Sequence, residues 1–403
     1  MQPLDLFSPA MRSDPYPIYA DLRRNQPLAR VTHPLAGQMW MLSRYDDVLA
    51  ALKDPRLSTE GGKVGKGIKV MESWWIPKTF KRVQRNMLSL DDPDHCRIRD
   101  LVHQAFTPRM LEGLTARIQH ITDALLDTMA RQPAPDLVRD FALPLPVTVI
   151  ADMMGVPQHR RSNFHRWSAA MLDAGSGGAL GALLKLPDIL RLMGFLEQLA
   201  QLRRDEPADD LTTALVRARQ GDDRLSEDEL ISMLFLLLVA GHETTVGLLG
   251  GGMQALFEHP DQLTLLKTQP ELIDSAIEEL LRYTTPVMTG AGRYVLEDMT
   301  LHGQQLPRGS LIALNMASAN RDESVFADGD RLDIRRSPNR HLGFGMGIHY
   351  CLGAPLARLE AKIGLPALLT RFPNIRPANP SAPLDWRPSI AARGLRSLPV
   401  VLD

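Results

Sequence analysis

His341-Leu342-Gly343-Phe344-Gly345-Met346-Gly347-Ile348-His349-Tyr350-Cys351-Leu352-Gly353 is the stretch on which the reading of this chain turns. Four glycines in eleven residues let the backbone turn tightly and pack closely on something flat. From Ala354 to Arg371 apolar residues recur at helical spacing, so Cys351 sits just ahead of a helix N-terminus. There the macrodipole and the free backbone N–H groups stabilise a thiolate, the form of cysteine that binds metals. A single cysteine is most often plain packing, and Cys96, the other one, is read that way. Two cysteines form at most one bridge, which excludes a disulfide scaffold and suits a reducing cytoplasm.

The same loop resembles the haem-binding signature of the cytochrome P-450 family, Phe-x-x-Gly-x-x-x-Cys-x-Gly. Phe344, Gly347, Cys351 and Gly353 fill every fixed position. The resemblance implies haem b (iron protoporphyrin IX) as cofactor and Cys351 as the axial metal ligand, a donor that favours O–O cleavage. It spans the chain from Asp14-Pro15-Tyr16-Pro17 through Arg393-Gly394-Leu395. The departures are small: Ala327 stands where proline is usual, Leu332 where phenylalanine is usual, and Val295 where alanine is common.

Upstream, Ser226-Glu227-Asp228-Glu229 reads as a capping box that opens a helix. The pattern runs to Glu258, before His259-Pro260 stops it, about 29 residues or roughly 43 Å. Apolar nearly all round over Leu230–Ala240, this helix must cross the core. Its middle, Ala240-Gly241-His242-Glu243-Thr244-Thr245, breaks the pattern. Glycine there costs roughly 1 kcal/mol against alanine, and Thr244 is placed to bond the Ala240 carbonyl and bend the helix. Read alone, the segment can also be a solvent-facing patch or a polar pair. The resemblance supplies another reading, because the stretch is similar to the family's oxygen-activation motif. By that likeness Ala240 and Gly241 form the oxygen-binding groove, and Glu243 and Thr244 are catalytic, delivering protons during oxygen activation.

Glu279 and Arg282, three apart on one predicted helix, share a face. Alone such a pair is an ordinary surface ion pair of little value. Here it matches the family's Glu-x-x-Arg motif, with Arg331 the expected third partner and Arg336 a weaker one. Haem propionates need cationic or donor groups. His95 and Arg99 lie four apart on one helix face, Arg293 follows Pro286 by a short strand, and His349 precedes Cys351 by two. Each matches a propionate-binding position of bacterial members.

Helical spacing marks 16–25, 44–53, 95–106, 109–131, 140–154, 209–219, 226–258, 261–268, 270–283 and 354–371. Short strand patterns cluster in 28–43 and 292–315. The expected architecture is mainly α, the cytochrome P-450 fold, with a long central helix over haem and small β-sheets. Residues 1–403 are read as a single haem domain. Gly61-Gly62, Gly65 and Gly67, and Gly175-Ser176-Gly177-Gly178, mark a lid, a hinge or surface loops.

The chain has 403 residues, 44% of them hydrophobic, ample for a large core. With 46 Lys+Arg against 47 Asp+Glu, net charge points to no nucleic-acid partner. Neither a signal peptide nor a membrane-length apolar run is seen, so a cytoplasmic protein, monomeric and without membrane, is expected. The activity implied is that of a haem-thiolate monooxygenase, an oxidoreductase inserting one atom of O2, its co-substrate, into a small apolar organic substrate by hydroxylation or epoxidation. Two cysteines cannot hold a four-cysteine cluster, so electrons from NAD(P)H would arrive indirectly through separate proteins, a ferredoxin and a ferredoxin reductase. Arg97, Arg358 and Lys362 are the cations expected to attract an acidic ferredoxin. Pocket candidates are Trp74, Trp75, Met87, Met171, Leu172, Val239, Val287, Met288 and Ile390. Two rivals are a haem-thiolate peroxygenase or isomerase, against which the acid–threonine pair argues, and a non-catalytic haem sensor or haem-free helical binder.

Overall fold

The computed structural model describes residues 4–5, 8, 11, 13–33, 37–65, 83, 85–106, 108–174, 178–220, 223–387, 389 and 391–403. It is helix-rich, with small sheets, and divides into two compact units. One comprises Met1–Ile68, Gly247–Ala354 and Arg376–Leu398; the other Lys69–Val246, Pro355–Ile375 and Pro399–Asp403.

The first unit holds a six-stranded sheet. Its strands are β1 (Leu4–Asp5), β2 (Leu28–His33), β3 (Gly37–Leu42), β4 (Leu57–Ser58), β5 (Arg293–Val295) and β6 (Leu311–Leu314), in the order β1-β2-β3-β6-β5-β4. β2 and β3 are antiparallel, whereas β6 runs parallel to β3 with Ile312 opposite Trp40 and Leu314 opposite Leu42. Side chains alternate across the pleat. Leu42, Ile312 and Leu314 join one buried cluster with Tyr45, Val48, Val295 and Phe326. Met39, Met41 and Ala313 face the other way, onto Tyr19, Leu22 and Val31. The chain covers both faces, which is why β6 is buried almost throughout.

The second unit is helical. Helices observed at Asp94–His103, Pro108–Met129, Pro144–Met153 and Leu211–Arg217 lie within a few residues of the expected ones. A π-helical turn, Val138–Ala142, replaces the first turn expected for the third of these. Two further helices, Arg161–Ala174 and Gly178–Asp205, are absent from the periodicity reading. In the second the apolar residues are spread around the axis and Pro187 lies inside it, so no single stripe marks it. The two pack through aromatic rings, Phe164 and Trp167 standing 6.0 and 5.8 Å from Phe195. Of the glycine-rich stretches, Gly61–Val64 forms a 3-10 turn and Gly178 opens a helix; Gly67 and residues 175–177 lie outside the described residues.

The central helix runs Glu227–Glu258, 32 residues, with residues to Val246 in the second unit and the rest in the first. Its capping box is formed: Ser226 N–H donates to Glu229 Oε2 at 2.8 Å, and Glu229 N–H donates to Ser226 Oγ at 3.3 Å. By length and apolar composition this helix could cross a membrane, which the apolar run Leu230–Ala240 alone did not suggest. Its most apolar window is 56% buried within the protein.

Candidate active site

The cysteine loop lies in the first unit. Cys351 N–H donates to Phe344 O at 2.9 Å, Tyr350 N–H to Gly347 O at 3.1 Å and Gly345 N–H to Leu342 O at 2.9 Å. Asn320 Oδ1 anchors the loop's base by accepting from Leu342 N–H at 2.7 Å. Gly345 and Gly347 adopt φ of 69° and 74°, which L side chains rarely reach. A Cβ on Gly347 would also meet the Leu52 carbonyl at 2.9 Å. Glycine is therefore required there by conformation and by space. The loop delivers Cys351, half-buried, three residues before the helix Ala354–Arg371 begins. His349 is half-buried in the same loop. Arg293 opens β5 and is buried, its Nη1 donating to Ala291 O at 2.9 Å.

Behind the loop the Glu279–Arg282 pair is fully buried, so it is no surface ion pair. Arg282 donates to both Glu279 oxygens at 2.7 and 2.8 Å and to the carbonyls of Asn320, Gly329 and Arg331 at 2.8, 2.7 and 3.0 Å. The expectation that Arg331 completes this network is corrected. Its side chain is exposed and it supplies only its carbonyl; the third member is Arg336, whose guanidinium lies 3.2 Å from Glu279. The cause is backbone geometry, because Arg331 closes a turn on Asp328 O at 2.8 Å, with Asp328 at a φ of 49°. Asn339 Nδ2 and Asp333 N–H also donate to Glu279, at 3.1 and 2.9 Å.

In the second unit the turn Ala240–Thr245 keeps its helical geometry. Thr244 Oγ1 donates to Ala240 O at 2.9 Å, the bond its spacing predicts. Ala240 is exposed, while Val239, Gly241, Glu243 and Thr244 are half-buried. Leu230–Leu234, about two to three turns earlier, are buried. Among the described residues a Cβ on Gly241 would meet only Ile150, at an ordinary 3.6 Å, so their packing does not demand glycine. His95 is buried and Arg99 half-buried, on the helix Asp94–His103.

Cys96 is exposed beside them. Its hydrogen bond to Asp92, foremost among the causes, pushes its thiol up to about 11, so it stays protonated at neutral pH. The donor atoms of Asp92, His95 and Cys96 lie within 4.8 Å of one another, but a protonated thiol donating to Asp92 is a poor metal ligand.

Other expectations need revision. Met288 belongs to the buried cluster with Met39 and Met41, because its N–H, donating to Ala391 O at 2.8 Å, fixes that segment. Val287 packs against the opposite cluster. Met87 is buried. Trp74, Trp75 and Ile390 lie outside the described residues, as do the side chains of Met171 and Leu172, whose backbone is helical. Arg97 pairs with Asp223 at 3.3 Å and with Glu229 of the capping box, so its charge serves the fold.

One group escaped the sequence reading. Glu360 is buried (1% exposed) on the helix Ala354–Arg371 and hydrogen-bonded to Thr245. Burial pushes its carboxyl up to about 8. The signal was present, since Glu360 stands between Leu356 and Gly364 on the apolar stripe of its helix.

Comparison with known proteins agrees with this fold. The cytochrome P-450 family model matches residues 185–385. The chain is 44% identical over 395 residues to the polyketide biosynthesis cytochrome P-450 PksS of Bacillus subtilis strain 168, covering 97% of this chain and 96% of that protein. It is 41% identical over 387 residues to the mycinamicin IV hydroxylase/epoxidase of Micromonospora griseorubida, covering 95% and 94%. The solved structure of PksS superposes with a TM-score of 0.91 at 42% identity, covering 98% of this chain and 99% of that one. A myxobacterial cytochrome P-450 in complex with myristic acid gives a TM-score of 0.90 at 42% identity, covering 99% and 98%.

Proposed function

Because the chain belongs to the cytochrome P-450 family and is a haem-thiolate, oxygen-using monooxygenase, we propose that it hydroxylates or epoxidises an apolar organic substrate, polyketide lactones being the first class to test. The polyketide biosynthesis relative and the mycinamicin hydroxylase/epoxidase support that choice. Electrons come from NAD(P)H through a separate ferredoxin and its reductase, and the chain acts in the cytoplasm as one haem domain.

The observation that carries the reading is the cysteine loop. Its hydrogen bonds and two left-handed glycines hold Cys351 half-buried just ahead of a helix, the setting in which a thiolate is favoured. The chemistry of these donors suits haem: Cys351 would hold its iron, and Arg293 and His349, with His95 and Arg99 by the family resemblance, would meet its propionates. Haem, when bound, supplies the iron chemistry that divides dioxygen between product and water. The chain's own residues control protons and access. Thr244, its hydroxyl proton directed at Ala240 O, keeps its oxygen free to accept from an ordered water. Glu243, one residue before it, supplies the proton that this water passes on. Ala240 and Gly241 leave the helix surface low at this turn, because neither carries more than a methyl group.

Isotopically labelled dioxygen tests the proposal. Purified holoenzyme with ferredoxin, reductase and NAD(P)H should place one labelled atom in the product of a polyketide lactone. Product formed with peroxide alone and not with dioxygen would contradict it.

A further inference from the structure

A loop with four glycines in eleven residues is compliant, because glycine restrains the backbone less than any other residue. Its position must therefore be set from outside, at its base. Arg340 O accepts from the Tyr45 hydroxyl at 2.6 Å, and Leu342 N–H donates to Asn320 Oδ1 at 2.7 Å. Gly343 N–H donates to His341 Nδ1 at 3.0 Å. Tyr45 and Asn320 lie outside the loop, but His341 is part of it and needs an anchor of its own. That anchor is Glu278 on the helix Ile273–Thr284, whose Oε2 lies 3.0 Å from His341 Nε2.

The two contacts fix the imidazole. Nδ1 accepts an amide proton, so the ring's own proton sits on Nε2 and is donated to the Glu278 carboxylate. A ring turned over, or protonated on both nitrogens, would set N–H against N–H at Gly343. The side chain of His341 is 3% exposed and that of Glu278 29%, so the histidine cannot exchange its partners for water without leaving its seat. The seat is close: a Cβ on Gly343 would meet His341 Nδ1 at 3.0 Å and the Leu281 carbonyl, on the same helix as Glu278, at 3.3 Å. The ring also stands 6.0 Å from that of Phe344. From Gly343 the chain passes directly to Phe344, whose carbonyl accepts the Cys351 N–H at 2.9 Å. The histidine thus braces the side of the loop onto which the cysteine end closes.

We propose that His341, anchored by Glu278, is the positioning residue that keeps the cysteine loop in the form in which Cys351 remains a thiolate. It acts through the backbone of Gly343 and Phe344. The proposal rests on Cys351 as the iron ligand. Adjacent carboxylates of one helix then serve different segments: Glu279 gathers Arg282, Arg336 and Asn339, while Glu278 holds the loop through one imidazole.

The test compares wild-type holoenzyme with His341→Asn, His341→Phe, Glu278→Gln and the double variant Glu278→Gln/His341→Asn. Heteronuclear NMR of the imidazole nitrogens in the reduced, carbon-monoxide-bound wild type, which is diamagnetic, should show the His341 proton on Nε2 and a bare Nδ1. A proton on Nδ1 would overturn the proposal. The second readout is the rate at which the thiolate-type Soret band of that species gives way to the thiol-type band at one fixed, sub-denaturing urea concentration. His341→Asn keeps an acceptor for the Gly343 N–H, in an Asx-turn, but is too short for Glu278; the rate should rise about tenfold, the worth of one net hydrogen bond. His341→Phe keeps a ring and loses both bonds, and the rise should be about a hundredfold. Glu278→Gln keeps a neutral acceptor, and about threefold is expected. The double variant should decay no faster than His341→Asn alone, because the bond between the two residues is already gone; additive losses would break the link. Arg336→Ala loosens the neighbouring carboxylate's network without touching the loop, and serves as the control for general stability. If it speeds the loss as much as His341→Phe does, the histidine only supports the fold and the proposal is wrong. A wild type without the thiolate-type band would remove Cys351 as the ligand and the proposal with it. A wild type that has the band, with His341 variants that lose it no faster, would overturn the proposal alone.

Discussion

Truncating the arginines around Glu279 one at a time ranks their roles. Glu279 and Arg282 are fully buried and bonded through two short contacts, and Arg282 also donates to three carbonyls. Arg282→Ala takes the two shortest bonds from a buried carboxylate and leaves three carbonyls without their donor, a loss of about 3–5 kcal/mol. Arg336→Ala leaves Glu279 with Arg282, Asn339 and the Asp333 N–H; its charge-assisted contact is lost, about 1.5–3 kcal/mol, while the exposed carbonyls of Ala327, Asp328 and Arg331 that it also meets can turn to water. Arg331→Ala removes an exposed side chain while its carbonyl remains, and should cost no more than about 0.5 kcal/mol. Urea unfolding followed by far-UV circular dichroism reads the order from the midpoints, provided the slopes are unchanged. Haem content after purification should follow the same order. An Arg331→Ala variant as unstable as Arg336→Ala would refute the assignment of Arg336 as the second guanidinium on Glu279.

Thr244→Ala should bind haem normally and keep consuming reductant, but release more of it as hydrogen peroxide and less as product; an unchanged product-to-reductant ratio would make the hydroxyl dispensable. Glu243→Gln should slow the whole cycle. Replacing Arg358 and Lys362 together with glutamine should slow ferredoxin-driven turnover and flatten its salt dependence while sparing peroxide-driven turnover; equal losses in both assays would point to damage at the haem site. Wild-type stability should fall between pH 4.5 and about 8, because the unfolded Glu360 ionises while the folded one keeps its proton. The slope is up to about 1.4 kcal/mol per pH unit, and stability curves for Glu360→Gln that retain it would count against a neutral acid at that site.

The features legible in the sequence were those written locally. The capping box at Ser226 and Glu229, the Thr244 bond to Ala240 and the glycine-framed approach to Cys351 each involve residues within about one turn or loop. The choice between Arg331 and Arg336 was not local. It depends on the turn at Asp328 and on where the chain returns to Glu279, some fifty residues from the helix that holds it. The helix Gly178–Asp205 escaped because its apolar residues form no stripe. Met288 read as pocket-lining although alternation along the chain buries it with Met39 and Met41 while Val287 packs on the other cluster. Glu360 was missed because its partner, Thr245, lies on another helix far back in the chain.

The central claim is that Cys351 holds haem iron as a thiolate, and an absorption spectrum of the reduced, carbon-monoxide-bound protein addresses it directly. Wild type and Cys96→Ala should both give the red-shifted thiolate-type Soret band, since Cys96 is a protonated thiol tied to Asp92. Cys351→Ala should lose it. A thiolate-type band that survives in Cys351→Ala, or vanishes in Cys96→Ala, would contradict the account.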